Sequence, residues 1–181
     1  MFYVSQVIST PPKRFDTPLQ EQVYRTLEAL KIPYTRVATD PAITMGDCLH
    51  VDRGLGVKIV KTLFLCNRQQ TAFYLFITPG DKPFSTKHFS HALSVPRVSF
   101  ASPEQLLEMM GTQVGAATVM SALIDLDQKA QIVIDQAAAQ EEWFGCSDGT
   151  ATGFLKLKTR DLLDRLLPFT RHTPILAEVT E

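Results

Sequence analysis

Lys61 is the residue whose setting most demands a chemical explanation. It stands in the run Val57-Lys58-Ile59-Val60-Lys61-Thr62-Leu63-Phe64-Leu65-Cys66, whose β-branched, aromatic and leucine residues read as a strand. Successive strand side chains point to opposite faces. Val57, Ile59, Lys61, Leu63 and Leu65 therefore share one face, and Val60, Thr62, Phe64 and Cys66 the other. Both faces are largely apolar, the pattern of a central strand covered on two sides. An unpaired ammonium fully buried on such a face is costly. Two outcomes stay open: Lys61 opens into a cavity where it meets an anion, or it bends its ammonium out to water.

Other residues offer weaker chemistry. Two stretches of small or polar residues, Gly111 to Ala122 and Gly145 to Gly153, read as loops whose backbone could approach a ligand closely. The second contains Cys146, Ser147, Asp148, Thr150 and Thr152, and neither carries a phosphate-loop or dinucleotide pattern. His88 and His91 lie three apart on a predicted helix and could share a face. No cysteine or carboxylate joins them at ligand spacing, so no metal site is expected. None of His50, His88, His91 and His172 neighbours a nucleophile in a triad-like motif. The three cysteines, Cys48, Cys66 and Cys146, are far apart and odd in number, as suits reduced thiols in a cytoplasmic protein. Lys156, Lys158, Arg160, Arg165 and Arg171 form a late basic cluster, either a solvated face or a contact for a phosphate backbone.

The elements that position these residues follow from capping and periodicity. Thr17-Pro18-Leu19-Gln20 supplies a capping hydroxyl, a first-turn proline and a glutamine three residues on. Leu19, Val23, Leu27 and Leu30 then recur at helical spacing, and the helix should end near Lys31. Tyr34 to Thr39 reads as a strand, and Thr44 caps a short helix that stops near Gly54. Lys58 to Cys66 and Thr71 to Thr78 form a hairpin around Asn67-Arg68-Gln69-Gln70, and Pro79-Gly80-Asp81 ends its second strand. A helix over Ser85 to Leu93, a strand over Arg97 to Phe100 and a helix from Ser102 to Gly111 follow. Gln131 to Ile134 and Phe154 to Leu157 read as strands, and Arg160 to Leu167 as a last helix. Interleaved elements without a regular βαβ repeat predict a single α+β domain around a mixed sheet. The chain has 181 residues, 45% hydrophobic and 20% charged, with formal net charge −1. Such a length fits one core, and the near-neutral charge excludes a generally basic nucleic-acid-coating protein. No apolar run approaches the roughly 20 residues a bilayer crossing needs.

The block Lys61-Thr62-Leu63-Phe64-Leu65-Cys66-Asn67-Arg68, followed by Phe73-Tyr74-Leu75, Pro79-Gly80-Asp81-Lys82-Pro83-Phe84 and Arg97-Val98-Ser99-Phe100-Ala101, resembles the YbaK/ProX family of aminoacyl-tRNA editing domains. The likeness continues through Gly115 to Asp125 and Trp143 to Leu157. It spans residues 17–168, leaving an irregular arm, 1–16, and a tail, 169–181. The closest flavour is the freestanding prolyl-tRNA editing type that removes alanine from mischarged proline tRNA.

The resemblance implies a mixed, curved, barrel-like sheet flanked by helices, and a cytoplasmic hydrolase of the ester joining an amino acid to the terminal ribose. The implied partners are the 3′ end of aminoacyl-tRNA, with proline tRNA favoured, and prolyl-tRNA synthetase; no cofactor, metal, DNA or membrane is implied. Lys61 matches the family's functional lysine, which helps hold the terminal adenosine and its phosphate. Gly115 and its loop, with Thr118, Met120 and Ser121, match the loop lining the amino-acid site, and Thr44 and Met45 match a segment bordering the pocket. The family's His-Pro pair falls on Ser147 and Asp148, and its later asparagine on Ala151. The asparagine after the lysine is Thr62, and a loop glycine is Ser121. Ser147 or Asp148 would then take over part of the histidine's role, or the protein binds aminoacyl-tRNA ends without turning them over.

Overall fold

A computed structural model describes residues 1–180. Helix α1 (Pro18–Ala29) begins where Thr17 Oγ1 accepts the Gln20 amide at 3.0 Å, and it buries Leu19, Val23 and Leu27. After β1 (Tyr34–Ala38), α2 (Met45–Leu55) ends on Gly56 in the left-handed region, two residues beyond the expected stop. The hairpin strands β2 (Val60–Asn67) and β3 (Phe73–Pro79) pair antiparallel, with Lys61 opposite Thr78. Next come α3 (Thr86–Leu93), β4 (Val98–Phe100) and α4 (Pro103–Met110), with Ser102 at the predicted cap and Ser85, expected inside α3, capping it instead. Strand β5 (Ala130–Asp135) leads into α5 (Gln136–Ala139), β6 (Trp143–Ser147) and β7 (Gly153–Lys158). The last helical segment runs through α6 (Thr159–Asp161), a π turn (Leu162–Leu166) and α7 (Leu167–Phe169), ahead of β8 (Ile175–Ala177).

The mixed α+β architecture is as expected, with the strands in two sheets. One has the order β1-β7-β6 and the other β4-β2-β3-β5-β8, with β5 parallel to both β3 and β8. The sheets do not close into a barrel; among the described residues a parallel bridge, Ile59 to Gly145, joins them. Two stretches read as loops are partly regular. Gly145 to Ser147 belong to β6, because pairing with β7 outweighs their turn-forming composition. Val119–Leu123 forms a 3₁₀ turn capped by Thr118. The tail contributes β8, whose short apolar run pairs with β5.

Both faces of the central hairpin are covered. Phe64, Leu75, Ile77, Ile132 and Ile134 pack with α1 and the three-stranded sheet in the largest cluster. Leu65, Phe76 and Val133 pack with Phe89 and Val98 on the opposite face. All three cysteines are free, with Cys66 and Cys146 buried.

Gly145 allows the seam between the sheets. A Cβ built there would lie 2.6 Å from Val57 Cγ1 and 3.1 Å from the Lys58 carbonyl oxygen. Gly145→Val should therefore destabilise the protein by about 2–3 kcal/mol, because an extra side chain in a packed seam forces backbone shifts. A urea midpoint unchanged from wild type would show that the seam opens freely.

Candidate functional site

Lys61 sits on the same face of the five-stranded sheet as Leu63 and Leu65, but at the end where that face turns polar. Thr78 lies two residues beyond Phe76, and Asp135 two beyond Val133. Asp135 is 1% exposed. It accepts hydrogen bonds from Thr78 Oγ1 at 2.9 Å, Lys82 Nζ at 2.7 Å and the Ala137 amide at 3.0 Å. Lys61 is half-buried and donates from its ammonium to the Lys82 carbonyl. Among the described residues no carboxylate lies within salt-bridge distance of that ammonium, although Lys58 pairs with Asp81 and Lys82 with Asp135. Partial burial lowers its pKa below the ordinary lysine value, opposed by the nearby Asp81 charge. The ammonium is thus tied to the turn and paired with no carboxylate among the described residues. A neutral acceptor anchors it, and its charge stays available to an anion.

Of two expected pocket segments, the first, at Thr44 and Met45, lies between the second, the Gly115 loop, and the turn next to this lysine. Thr44 caps α2 through a capping box: its hydroxyl accepts the Asp47 amide at 3.1 Å, and Asp47 accepts the Thr44 and Ile43 amides. Those amides hold the Asp47 carboxyl below its usual range. Met45 is exposed, and its Cε would lie 3.9 Å from a Cβ built on Gly80. Gly115, at φ +92°, faces Ile43 across 3.7 Å measured the same way. The 43–45 segment therefore spans from the Gly115 loop to the turn that offers its Lys82 carbonyl to Lys61. Its approach is set by a backbone bond from the Ala42 amide to the Ala151 carbonyl at 2.9 Å. The methyl side chain of Ala151 offers no polar group, and its main-chain carbonyl positions this rim.

The remaining expected residues lie deeper. Thr62 points to the opposite face of β2 from Lys61. Thr118, Met120 and Ser121 are fully buried. Thr118 Oγ1 donates to the Ser147 carbonyl at 2.7 Å, and Ser121 Oγ to the Met110 carbonyl at 2.6 Å. They form the support beneath the Gly115 loop rather than its exposed lining.

Ser147 and Asp148 are engaged in holding the structure. Ser147 Oγ donates to the Thr150 carbonyl at 2.7 Å and accepts the Gly149 amide at 3.0 Å. Asp148, 1% exposed, accepts Tyr24 Oη at 2.7 Å, Gln20 Nε2 at 2.9 Å and Thr150 Oγ1 at 2.7 Å. Burial and the Asp148 charge push the Tyr24 phenol well above its usual range. This network fastens α1 to the β6–β7 connection, a role that the apolar stripe of α1 did not disclose. Burial also pushes the Cys146 thiol up to about 12, so it is no thiolate nucleophile at neutral pH. Among the described residues no group of three His, Cys, Asp or Glu side chains could hold one metal ion.

A cleft of about 580 Å³ runs between the Pro79-Gly80-Asp81 turn and Trp143, with Lys58, Val60, Glu141 and Glu142 in its walls. Lys61 is not in its lining. Trp143 is 40% exposed, with Lys156 Nζ 4.9 Å and Lys158 Nζ 5.7 Å from its ring centroid. These are cation–π contacts between cross-strand neighbours of β6 and β7.

Asp148→Ala should cost about 3 kcal/mol of stability, since it strands several buried donors without an acceptor. Chemical denaturation measures this, and a wild-type unfolding midpoint would contradict the structural role.

With this geometry established, comparisons place the chain among known proteins. The family model of the aminoacyl-tRNA editing domain matches residues 41–165. The prolyl-tRNA editing protein ProX of Acetoanaerobium sticklandii is 27% identical over 121 residues, covering 67% of this chain and 74% of its own. A solved structure of hypothetical protein APE2540 superposes with a TM-score of 0.65 at 20% identity, covering 86% of this chain and 98% of that one. Another, described as a trans-editing candidate for prolyl tRNA synthetase, gives 0.64 at 16% identity over 90% and 98%. No helix among the described residues is long and apolar enough to cross a membrane. The family match spans more than half the chain and takes in α2, the Lys61 strand, the Gly115 loop and the β6–β7 hairpin, so the protein belongs to the aminoacyl-tRNA editing domain family, the YbaK/ProX family.

Proposed function

We propose that this protein is a cytoplasmic trans-editing hydrolase that deacylates mischarged aminoacyl-tRNA, with alanine on proline tRNA the favoured substrate. The observation that carries the reading is the Lys61 ammonium, held by a carbonyl and not neutralised by a carboxylate. An aminoacyl ester is already activated, so hydrolysis needs a placed water and a stabilised oxyanion rather than a covalent nucleophile. Water adds to the ester carbonyl and the C–O bond to the ribose breaks. The free amino acid leaves, and the ribose oxygen takes a proton.

In this reading Lys61 grips the anionic 3′ terminus. The backbone around Gly115 lines the amino-acid site, and Thr44 and Met45 border it. Thr62, Thr118, Met120 and Ser121 support these elements. Ser147 and Asp148 act by fixing the adjoining connection, since their polar atoms are engaged within the protein. A synthetase pocket shaped for proline cannot strongly exclude the smaller alanine, so a second pocket is needed to destroy the error. Prolyl-tRNA synthetase, which makes the mischarged product, is the natural protein partner. The match to a protein called a prolyl-tRNA editing protein supports this choice.

A second reading has its own support. With Ser147 and Asp148 engaged in structure, the chain would bind aminoacyl-tRNA ends in a regulatory role with little or no turnover.

Purified protein should release alanine from mischarged proline tRNA, and Lys61→Ala should slow release at least ~10-fold, the order of one lost charge interaction. Alanyl-, seryl-, cysteinyl- and threonyl-tRNA all left intact, while a control deacylase works, would contradict hydrolysis. Binding of a non-hydrolysable alanyl-adenosine 5′-phosphate analogue, with the mischarged tRNAs themselves left intact, would favour the second reading. That binding should also weaken as pH rises through the Lys61 pKa, because deprotonation removes the charge. The loss should come at lower pH than for an ordinary lysine, since burial lowers this one. Affinity constant through that range would show that Lys61 does not carry the grip.

A further inference from the structure

We propose that Asp135, acting through Lys82, is a positioning residue that sets where the Lys61 ammonium sits. The inference rests on the assignment of Lys61 as the substrate-gripping cation and extends it to residues outside the site so far described. Lys82 presents two groups in opposite senses. Its ammonium donates to Asp135 Oδ2 at 2.7 Å, and its carbonyl accepts the Lys61 ammonium. The turn between them is closed by the Lys82 amide donating to the Pro79 carbonyl at 3.1 Å. Clamping the Lys82 side chain therefore holds the plane of the peptide that anchors Lys61.

The chemistry of Asp135 singles out this contact. The Ala137 amide, which caps α5, bonds Oδ1 and could be accepted by an asparagine oxygen, while the Thr78 hydroxyl, on Oδ2, could turn to accept from an asparagine amide. Only the Lys82 ammonium calls for a full negative charge. A buried ion pair is a poor way to add stability, because desolvation offsets much of the attraction. This one has Asp135 2% and Lys82 30% exposed at the side chain. What it achieves is a division of labour: one lysine is neutralised and immobilised, so that the other is oriented while keeping its charge. Were Asp135 paired with Lys61 directly, the charge offered to a substrate phosphate would be cancelled.

The test replaces the pair without changing net charge, with D135N and K82M combined. Two readouts are followed: deacylation of mischarged proline tRNA, and the pH titration of Lys61 by competitive acetylation and mass spectrometry. With the carbonyl released, the Lys61 amine should swing toward water. Its titration midpoint should then rise toward the ordinary lysine value, and kcat/KM should fall roughly 10- to 100-fold, as small misplacements of a reacting arrangement do. K82R, which can still reach Asp135, should retain wild-type behaviour in both. A wild-type Lys61 titration in the double variant overturns the proposal, whether or not activity falls. So does K82R behaving like the double variant. If the double variant does not fold, K82M alone decides: full activity overturns the proposal, while loss restored by K82R supports it. Should the wild-type protein deacylate nothing, the editing assignment fails, and the acetylation arm alone decides whether Asp135 positions Lys61.

Discussion

A lysine ammonium anchored by a backbone carbonyl, on a strand whose remaining side chains are mostly apolar, is the constraint around which this molecule is arranged. Taking an ammonium partly out of water costs free energy that a carboxylate neighbour would ordinarily offset. Here the nearest groups supply only part of that compensation: Lys61 meets the Lys82 carbonyl, and Asp135 is committed to Lys82. The result is a cation that is fixed but not cancelled, and therefore suited to an anionic ligand. Its depressed pKa has the same origin, since desolvation disfavours the charged form.

The fold builds that setting from two sheets. Within the five-stranded sheet β2 is covered on both faces over most of its length, by α1 and the three-stranded sheet on one side and by Phe89 of α3 on the other. At its end Thr78 and Asp135 replace Phe76 and Val133 with polar groups. The three-stranded sheet meets it at Gly145, where a missing side chain permits close approach. The same sheet's β6–β7 connection uses the Ala151 carbonyl to guide the chain into Thr44 and Met45. Beneath that connection the Asp148 network reaches back to Tyr24 and Gln20 of α1. Elements distant in sequence thus converge on the ends of β2 and β3, where the loops lie.

Much of this arrangement was legible from local chemistry. Thr17, Thr44 and Ser102 announce their helices because capping depends on a hydroxyl and its next few amides. The alternation around Lys61 revealed a doubly covered strand because side-chain direction in a strand has a fixed period. What stayed hidden depended on distant partners. Gly145, Cys146 and Ser147 form a strand only because β7 pairs with them, and β8 only because β5 offers an edge. The split into two sheets, in place of a curved barrel-like one, is likewise a matter of register between distant segments. Asp148 reads as a reactive carboxylate until Tyr24, Gln20 and Thr150 are seen around it. Asp135 carries no local motif at all; only its opposition to Thr78 and Lys82 gives it meaning.

A crystal structure with a non-hydrolysable alanyl-adenosine 5′-phosphate analogue tests the central claim most directly. The account predicts the phosphate or ribose oxygens within hydrogen-bond distance of Lys61 Nζ, and the alanyl group against the backbone at Gly115. An analogue seated instead in the cleft beside Trp143, with Lys61 still bonded only to Lys82, would contradict it.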